Sequence, residues 1–244
     1  MKTKEVGVRD YKKEFENLFD SICYRHPKFT VWNDFVHMAA YSISNAVNYR
    51  QDREDAYMNI VKKYTKDEAN KIAELLSLLT LALEDNREQD FLGQLYMDYK
   101  FGDHKKGEYF TPYHVAGLMS ELTGCQIDET ESFTTVNDPC CGSGVLLIAY
   151  ANKLLKAGMN HHLKLLVVAN DTNPCIALMC YIQLSLLGCA GYICIRNTFT
   201  EPMTGELLTP PDDAFIMPLF LHPVWKFRQE RSKILMDGDK NDMG

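Results

Sequence analysis

Asp138, Gly142, Gly144 and Asp171 are the residues whose types and spacing point most directly to ligand chemistry in this 244-residue chain. The segment Val136-Asn137-Asp138-Pro139-Cys140-Cys141-Gly142-Ser143-Gly144 carries an apolar, strand-like lead into a glycine-rich turn, and an apolar helical run over residues 145–155 follows. Glycines at a strand-to-helix turn let main-chain N–H groups approach a ligand at the positive end of the helix, and such turns cradle nucleotide-like molecules. A second apolar run, residues 163–169, ends at Asn170-Asp171-Thr172-Asn173-Pro174. The tip of the second strand is where a βαβ nucleotide fold places the acid that grips two ribose hydroxyls. Upstream, Gly107-Glu108-Tyr109-Phe110-Thr111-Pro112 completes an ordered set of three motifs.

These motifs need strands to carry them, and the pattern supplies strands from about residue 107 onward. Strand-like runs at 133–137, 163–169 and 191–195 alternate with helical runs at 145–155 and 175–187, which predicts an α/β fold with a parallel sheet and helices on its faces. The ligand then belongs at the carboxyl ends of the strands. Thr111-Pro112 opens a further helix, buried through Val115, Leu118, Met119 and Leu122, with Gly124 as its stop. Residues 10–100 read instead as helical. Tyr11, Phe15, Leu18, Phe19 and Ile22 recur at helical spacing, as do Phe35, Val36, Met38, Ala39, Ile43 and Val47, with a break at His26-Pro27. Thr65 with Glu68 forms a capping box ahead of Ile72, Leu75, Leu76, Leu79 and Leu83. The expected organisation is a helical N-terminal domain over 1–105, a ligand-binding α/β domain over 106–236 and a polar tail over 237–244.

Composition narrows the class. Hydrophobic residues make up 46% and charged residues 24%, as in an ordinary globular protein, and no run reaches membrane-spanning length. The first residues lack the apolar core of a signal peptide, so a cytoplasmic location is expected. Cys140, Cys141, Cys175, Cys180 and Cys189 lie in or beside apolar elements, where a reduced cysteine behaves as a small hydrophobe. No Cys-x-x-Cys occurs, so no metal site is expected. A formal charge of −7 argues against strong independent DNA binding, because phosphate contacts need clustered Lys and Arg. The modest basic cluster His104-Lys105-Lys106 reads as a solvated loop.

Gly-Glu-Tyr-Phe-Thr-Pro followed by Asp-Pro-Cys-Cys-Gly-Ser-Gly resembles the modification subunits of type I restriction systems and related N6-adenine DNA methyltransferases. The likeness spans roughly residues 90–200 and includes the entry segment Phe91-Leu92-Gly93-Gln94-Leu95-Tyr96. It implies a Rossmann-like methyltransferase fold, S-adenosylmethionine as cofactor, and DNA as substrate reached through a partner specificity subunit. By the same resemblance, the segment from Gly107 to Pro112 folds over the methionine part of the cofactor. Thr111 then bonds its carboxylate, and Tyr109 or Phe110 walls the pocket. Asp138, Cys140, Gly142, Ser143 and Gly144 match the glycine-rich loop, with Asp138 near the amino group; Asp171 matches the ribose acid and Asn197 the residue that reads adenine. Each carboxylate or amide also has a plainer role open to it: Asp138 capping the turn, Asp171 capping the helix that follows Pro174, and Asn197 serving in a turn.

The chain departs from the resembled pattern near its C-terminus. Such enzymes carry an Asn-Pro-Pro-aromatic tetrapeptide after a fourth strand, whose oxygens accept from the target amine while the ring stacks on the flipped base. No Asn-Pro-Pro occurs; Thr209-Pro210-Pro211-Asp212 reads as a loop. His222-Pro223-Val224-Trp225 follows the apolar run 214–221 and is the nearest substitute, making His222, Pro223 and Trp225 weak candidates for catalysis. About a hundred residues follow the turn, so the sheet is expected to be incomplete. A catalytically silent cofactor-binding or subunit-interaction protein, or a site completed by a protein partner, stands as the alternative expectation.

Overall fold

The computed structural model describes residues 9–102, 109–123, 132–203 and 206–242, with side chains through residue 232. Its first half is a layer of five helices: α1 (Tyr11–Cys23), α2 (Lys28–Asn45), α3 (Gln51–Val61), α4 (Lys66–Asp85) and α5 (Phe91–Asp98). Local chemistry sets their ends. Asp10 accepts from the Lys13 N–H at the start of α1, and Pro27 starts α2 after the expected break. The Thr65–Glu68 capping box is fully made at α4. The helix that periodicity does not reveal is α3, whose one buried residue is Arg53.

The second half is α/β. Strands β1 (Thr134–Asp138), β2 (Leu165–Asp171) and β3 (Ala190–Ile195) lie side by side in that order and parallel, with Val136 opposite Val167 and Val167 opposite Gly191. The two-residue β4 (Phe215–Ile216) pairs antiparallel with β3. The expected longer fourth strand stops there because Pro218, which has no N–H to give a ladder, opens a 3-10 turn over Pro218–Leu221. Helices α6 (Tyr113–Leu122), α7 (Val145–Lys156), α8 (His161–Lys164), α9 (Pro174–Leu186) and α10 (Pro223–Asp242) complete the element order. The backbone of 237–242 belongs to α10, where the sequence reads a frayed tail. His104, Lys105, Lys106, Gly107, Glu108 and Gly124 lie outside the described residues, as does the expected boundary at 105/106.

Both faces of the sheet are covered, which explains why β2 reads as an unbroken apolar run. Leu165, Val167 and Ala169 join one core with α7, α9 and the helical layer; Leu166 and Val168 join another with Tyr192, Phe220 and Trp225. The first of these cores runs without interruption from Phe15 and Trp32 to Cys180, because α2 packs on α9. Fully burying an aliphatic or aromatic side chain in such a core contributes roughly 1.5–3 kcal/mol. Arg53 fastens the layers together: its guanidinium donates to Ala214 O at 2.8 Å and sits 4.1 Å over the Phe215 ring. No helix among the described residues is long and apolar enough to cross a membrane.

Candidate functional site

The carboxyl ends of β1, β2 and β3 converge, and the loops leaving them are bound to one another. The β1 loop turns at Asp138, whose Oδ1 accepts from the Cys140 N–H at 3.1 Å. Gly144 then takes φ +95° to admit the chain into α7, and an added Cβ there would approach Cys180 Sγ to 2.8 Å, so both conformation and space require glycine. Asp171 holds this turn from the next strand. Its Oδ2 accepts from the Gly142 N–H at 3.1 Å and its Oδ1 from the Asn173 N–H at 2.9 Å. Asp171 is not the cap of α9; Asn173 is, accepting from the Cys175 and Ile176 N–H groups.

Asn170, buried one residue earlier, ties all three loops. Its Nδ2 donates to Pro139 O at 3.0 Å and Thr198 Oγ1 at 2.6 Å, while its own carbonyl accepts from the Cys141 N–H at 3.0 Å. Thr198 Oγ1 in turn donates to Pro139 O at 2.6 Å. Sequence reasoning missed Asn170, Thr198 and Asp90. A polar residue closing an apolar run is the available signal for Asn170, since a buried amide must find partners.

Residues 109–111 meet this turn across the molecule. Tyr109, Phe110 and Thr111 line one cavity of about 90 Å³ with Asp138, Cys140, Cys141, Gly142, Ser143, Val145 and Leu146. Phe110 is set by stacking on Tyr96 of α5, with ring centroids 5.4 Å apart. Pro112 borders a neighbouring cavity of about 540 Å³ with Gly93, Gln94 and Met97 of α5, and Phe110 and Thr111 border both. Gly107 falls outside the described residues. Asn197 is exposed and closes a turn, its Oδ1 accepting from the Phe199 N–H at 2.9 Å, and it does not line the cavity.

The cavity wall carries no Lys or Arg among the described residues. Burial, and then the neighbouring Asp171, push the Asp138 carboxyl above the usual range. Burial followed by Asp171 and Asp138 pushes the Cys140 thiol up, so this exposed cysteine is a poor nucleophile. Its exposure departs from the apolar packing expected of it, whereas Cys141, Cys175, Cys180 and Cys189 are buried as expected. A region of negative potential beside free approach to a helix N-terminus suits a ligand with both a cationic and an anionic end. S-adenosylmethionine, with its ammonium, sulfonium and carboxylate, has that character. At about 90 Å³ the cavity falls below the roughly 300–1,000 Å³ of a pocket that holds a whole small molecule.

The weak catalytic candidates lie elsewhere. Trp225 is 0% exposed, packs on Phe133 and Phe220, and donates from Nε1 to His162 O at 2.9 Å. His222 and Pro223 form the entry to α10 beside it. Phe133 precedes β1 and His162 precedes β2, so this tetrapeptide sits at the amino ends of the strands, across the sheet from the glycine-rich turn. A ring buried there has no face left for a flipped base.

Comparison with known proteins follows the same geometry. A stretch of the chain is 34% identical over 82 residues to the type II restriction enzyme and methyltransferase RM.BcgI of Heyndrickxia coagulans, covering 32% of this chain and 12% of that protein. Two solved structures align at low identity. One, described as a class I S-adenosylmethionine-dependent methyltransferase from Listeria monocytogenes, gives a TM-score of 0.42 at 11% identity over 82% of this chain and 58% of its own. The other, the type I restriction-modification methyltransferase subunit from Streptococcus thermophilus, gives 0.41 at 12% identity over 80% and 60%. The chain therefore spans less than two thirds of each of these relatives. The family model for N-6 DNA methylases matches residues 87–218, more than half of the chain and every element from α5 to the turn after β4. The chain belongs to the N-6 DNA methylase family.

Proposed function

We propose that the carboxyl end of the sheet binds S-adenosylmethionine and that the chain serves adenine-N6 methylation of DNA as the cofactor-binding part of a larger site. The single observation that carries this reading is that residues 109–111 line one cavity with Asp138, residues 140–143 and residues 145–146, and that its charged wall group is a carboxylate. In this reading Asp138 receives the amino group, and Thr111 with the α7 N-terminus receives the carboxylate. Tyr109 and Phe110 wall the methionine end. The nucleoside lies outside the enclosed cavity, toward Asp171 and Asn197. Both oxygens of Asp171 already accept one main-chain N–H, but a carboxylate has about four lone-pair sites, so ribose hydroxyls can still be taken. Bound S-adenosylmethionine would supply a methyl group on a positively charged sulfur.

A weakly nucleophilic adenine amine needs paired acceptors to aim it, and positioning of that kind is worth several kcal/mol of the barrier. The burial of Trp225 speaks against the aromatic of His222-Pro223-Val224-Trp225 serving that task and favours the second reading, a chain that holds cofactor and depends on a partner for base and DNA contacts. The charge of −7 points the same way. A specificity subunit and a protein completing the base site are the partners this reading calls for.

The test is a titration with S-adenosylmethionine and S-adenosylhomocysteine. At a hundredfold excess over Kd, linkage adds about 2.7 kcal/mol and raises Tm by roughly 5–10 °C for a chain of this size. Absence of any shift at millimolar ligand overturns the cofactor reading. Transfer of a labelled methyl group to mixed-sequence DNA by the chain alone should be negligible, and robust turnover would overturn the dependence on a partner.

A further inference from the structure

Beneath the glycine-rich turn lies a third carboxylate, Asp90, 6% exposed and at the N-terminus of α5. Its Oδ1 accepts from the Gly93 N–H at 2.9 Å and from Gln183 Nε2 at 2.8 Å, and its Oδ2 accepts from Ser143 Oγ. Gln183, fully buried on α9, closes the ring: Nε2 donates also to Ser143 O at 3.0 Å, and Oε1 accepts from the Leu92 N–H at 3.1 Å. Three elements far apart in sequence, α5, the turn and α9, are thereby joined through a handful of buried atoms. Gly93 is glycine because a Cβ would collide with the Asp90 carboxylate and the Ser143 hydroxyl.

Capping alone does not call for this arrangement, because a neutral Asn or Ser caps a helix as well as Asp. A buried carboxylate held by neutral donors carries a desolvation cost that a cap at the surface avoids. Burial raises the Asp90 pKa, with the three donors pulling it back. The same short helix also bears Tyr96, on which Phe110 stacks. One end of α5 thus grips the turn while its other half holds the opposing wall of the cavity.

We propose that Asp90 is a positioning residue: through Ser143 and Gln183 it clamps the glycine-rich turn to α5, so that α5 sets the spacing between the turn and the Phe110-Thr111 wall. The clamp itself stands on this geometry. Its effect on ligand affinity rests on the cofactor reading above.

Two measurements on the full chain separate those levels. Hydrogen exchange of the unliganded protein reads the clamp directly. Asp90→Ala and Ser143→Ala should speed exchange of amides 141–145 about tenfold or more, as loss of a charged hydrogen bond implies, while buried amides of α4 stay as in the wild type. Asp90→Asn, which keeps the acceptor for Gly93 and Gln183 and lets the Ser143 hydroxyl reverse, should recover most of the protection. Titration with S-adenosylhomocysteine should then show Kd raised about tenfold in Asp90→Ala and in Ser143→Ala but close to the wild-type value in Asp90→Asn, as the same bond energy implies. Exchange that rises uniformly over the turn and α4, or not at all at the turn, overturns the clamp. If Asp90→Ala does not fold, Ser143→Ala, which removes one hydroxyl, decides the matter. If the wild type binds no ligand, the cofactor reading falls while the exchange result still judges the clamp.

Discussion

The two ends of one sheet use their polar side chains in different ways. At the amino ends, side chains are committed to main-chain carbonyls. Arg228 donates to Leu163 O at 2.7 Å and Ser132 O at 2.9 Å, Arg87 donates to Leu187 O at 2.9 Å, and Trp225 donates to His162 O at 2.9 Å. The adjacent rings of His161 and His162, tilted 40° to each other, face Leu187 O and Gly188 O. At the carboxyl ends three carboxylates, Asp138, Asp171 and Asp90, accept from groups of one turn that borders an open cavity, and neutral donors such as Asn170, Thr198 and Ser143 tie the loops around them. Residue types that draw the eye, His, Trp and Arg, mark the structural end. The proposed ligand site lies where carboxylates are held in place beside space.

The largest effect that tests this contrast is Trp225→Ala. Removing a fully buried indole should cost about 3–5 kcal/mol of stability, read from urea midpoints, with cofactor affinity unchanged in the folded fraction. A folded variant that lost affinity would break the division between the two ends. Asp171→Ala should behave in reverse. Cofactor affinity should fall by roughly 1.5–3 kcal/mol in calorimetric titration, since hydrogen bonds to a charged group are at stake, while the apoprotein loses less. An unchanged Kd would reduce Asp171 to a loop fastener.

Acid titration sharpens the contrast by sign. Burial, then His162 and Arg87, hold the His161 pKa down to about 4. A depressed histidine pKa means that the unfolded chain binds the proton more readily. Its stabilisation is therefore complete above the unfolded pKa of about 6.5 and is lost as pH falls toward the folded value, by about 2 kcal/mol after discounting for partial solvation. Asp90 and Asp138, both raised by burial, run the other way: the folded state binds their protons more readily, so their contribution improves as pH falls through the folded values. Urea midpoints from pH 7 to pH 4.5 should show a fall in the wild type that flattens in His161→Gln. An equal slope in both would remove His161 from the account.

What could be read from the sequence followed from local rules. The capping box at Thr65, the helical spacing in α1 and α2, and the apolar runs of β2 and β3 each express a short-range physical preference, as does the glycine-rich turn. What stayed hidden depends on pairs brought together by the fold. Asp90 and Gln183 are 93 residues apart, and neither position signals the other. Helix α3 lay inside the stretch read as helical but had no signature of its own, because it buries an arginine rather than an apolar stripe. His222-Pro223-Val224-Trp225 misled for a related reason: proline before an aromatic suits a base-binding loop, yet it equally suits the first turn of a helix anchored by a buried ring. Asn197 illustrates the limit for single polar residues, since its Asx turn satisfies the side chain without any ligand.

The packing of α2 on α9 also has a consequence for how the chain is made. Synthesis proceeds from the N-terminus, and α9 begins about 130 residues after α2 is complete. At about 5–20 residues per second, the apolar face of α2 waits roughly 6 to 26 seconds on the ribosome before its partner exists. During that interval Phe35, Val36 and Ala39 have only the other early helices to shelter them. The helical layer therefore carries apolar surface that stays uncovered until the helix after the second strand has been made.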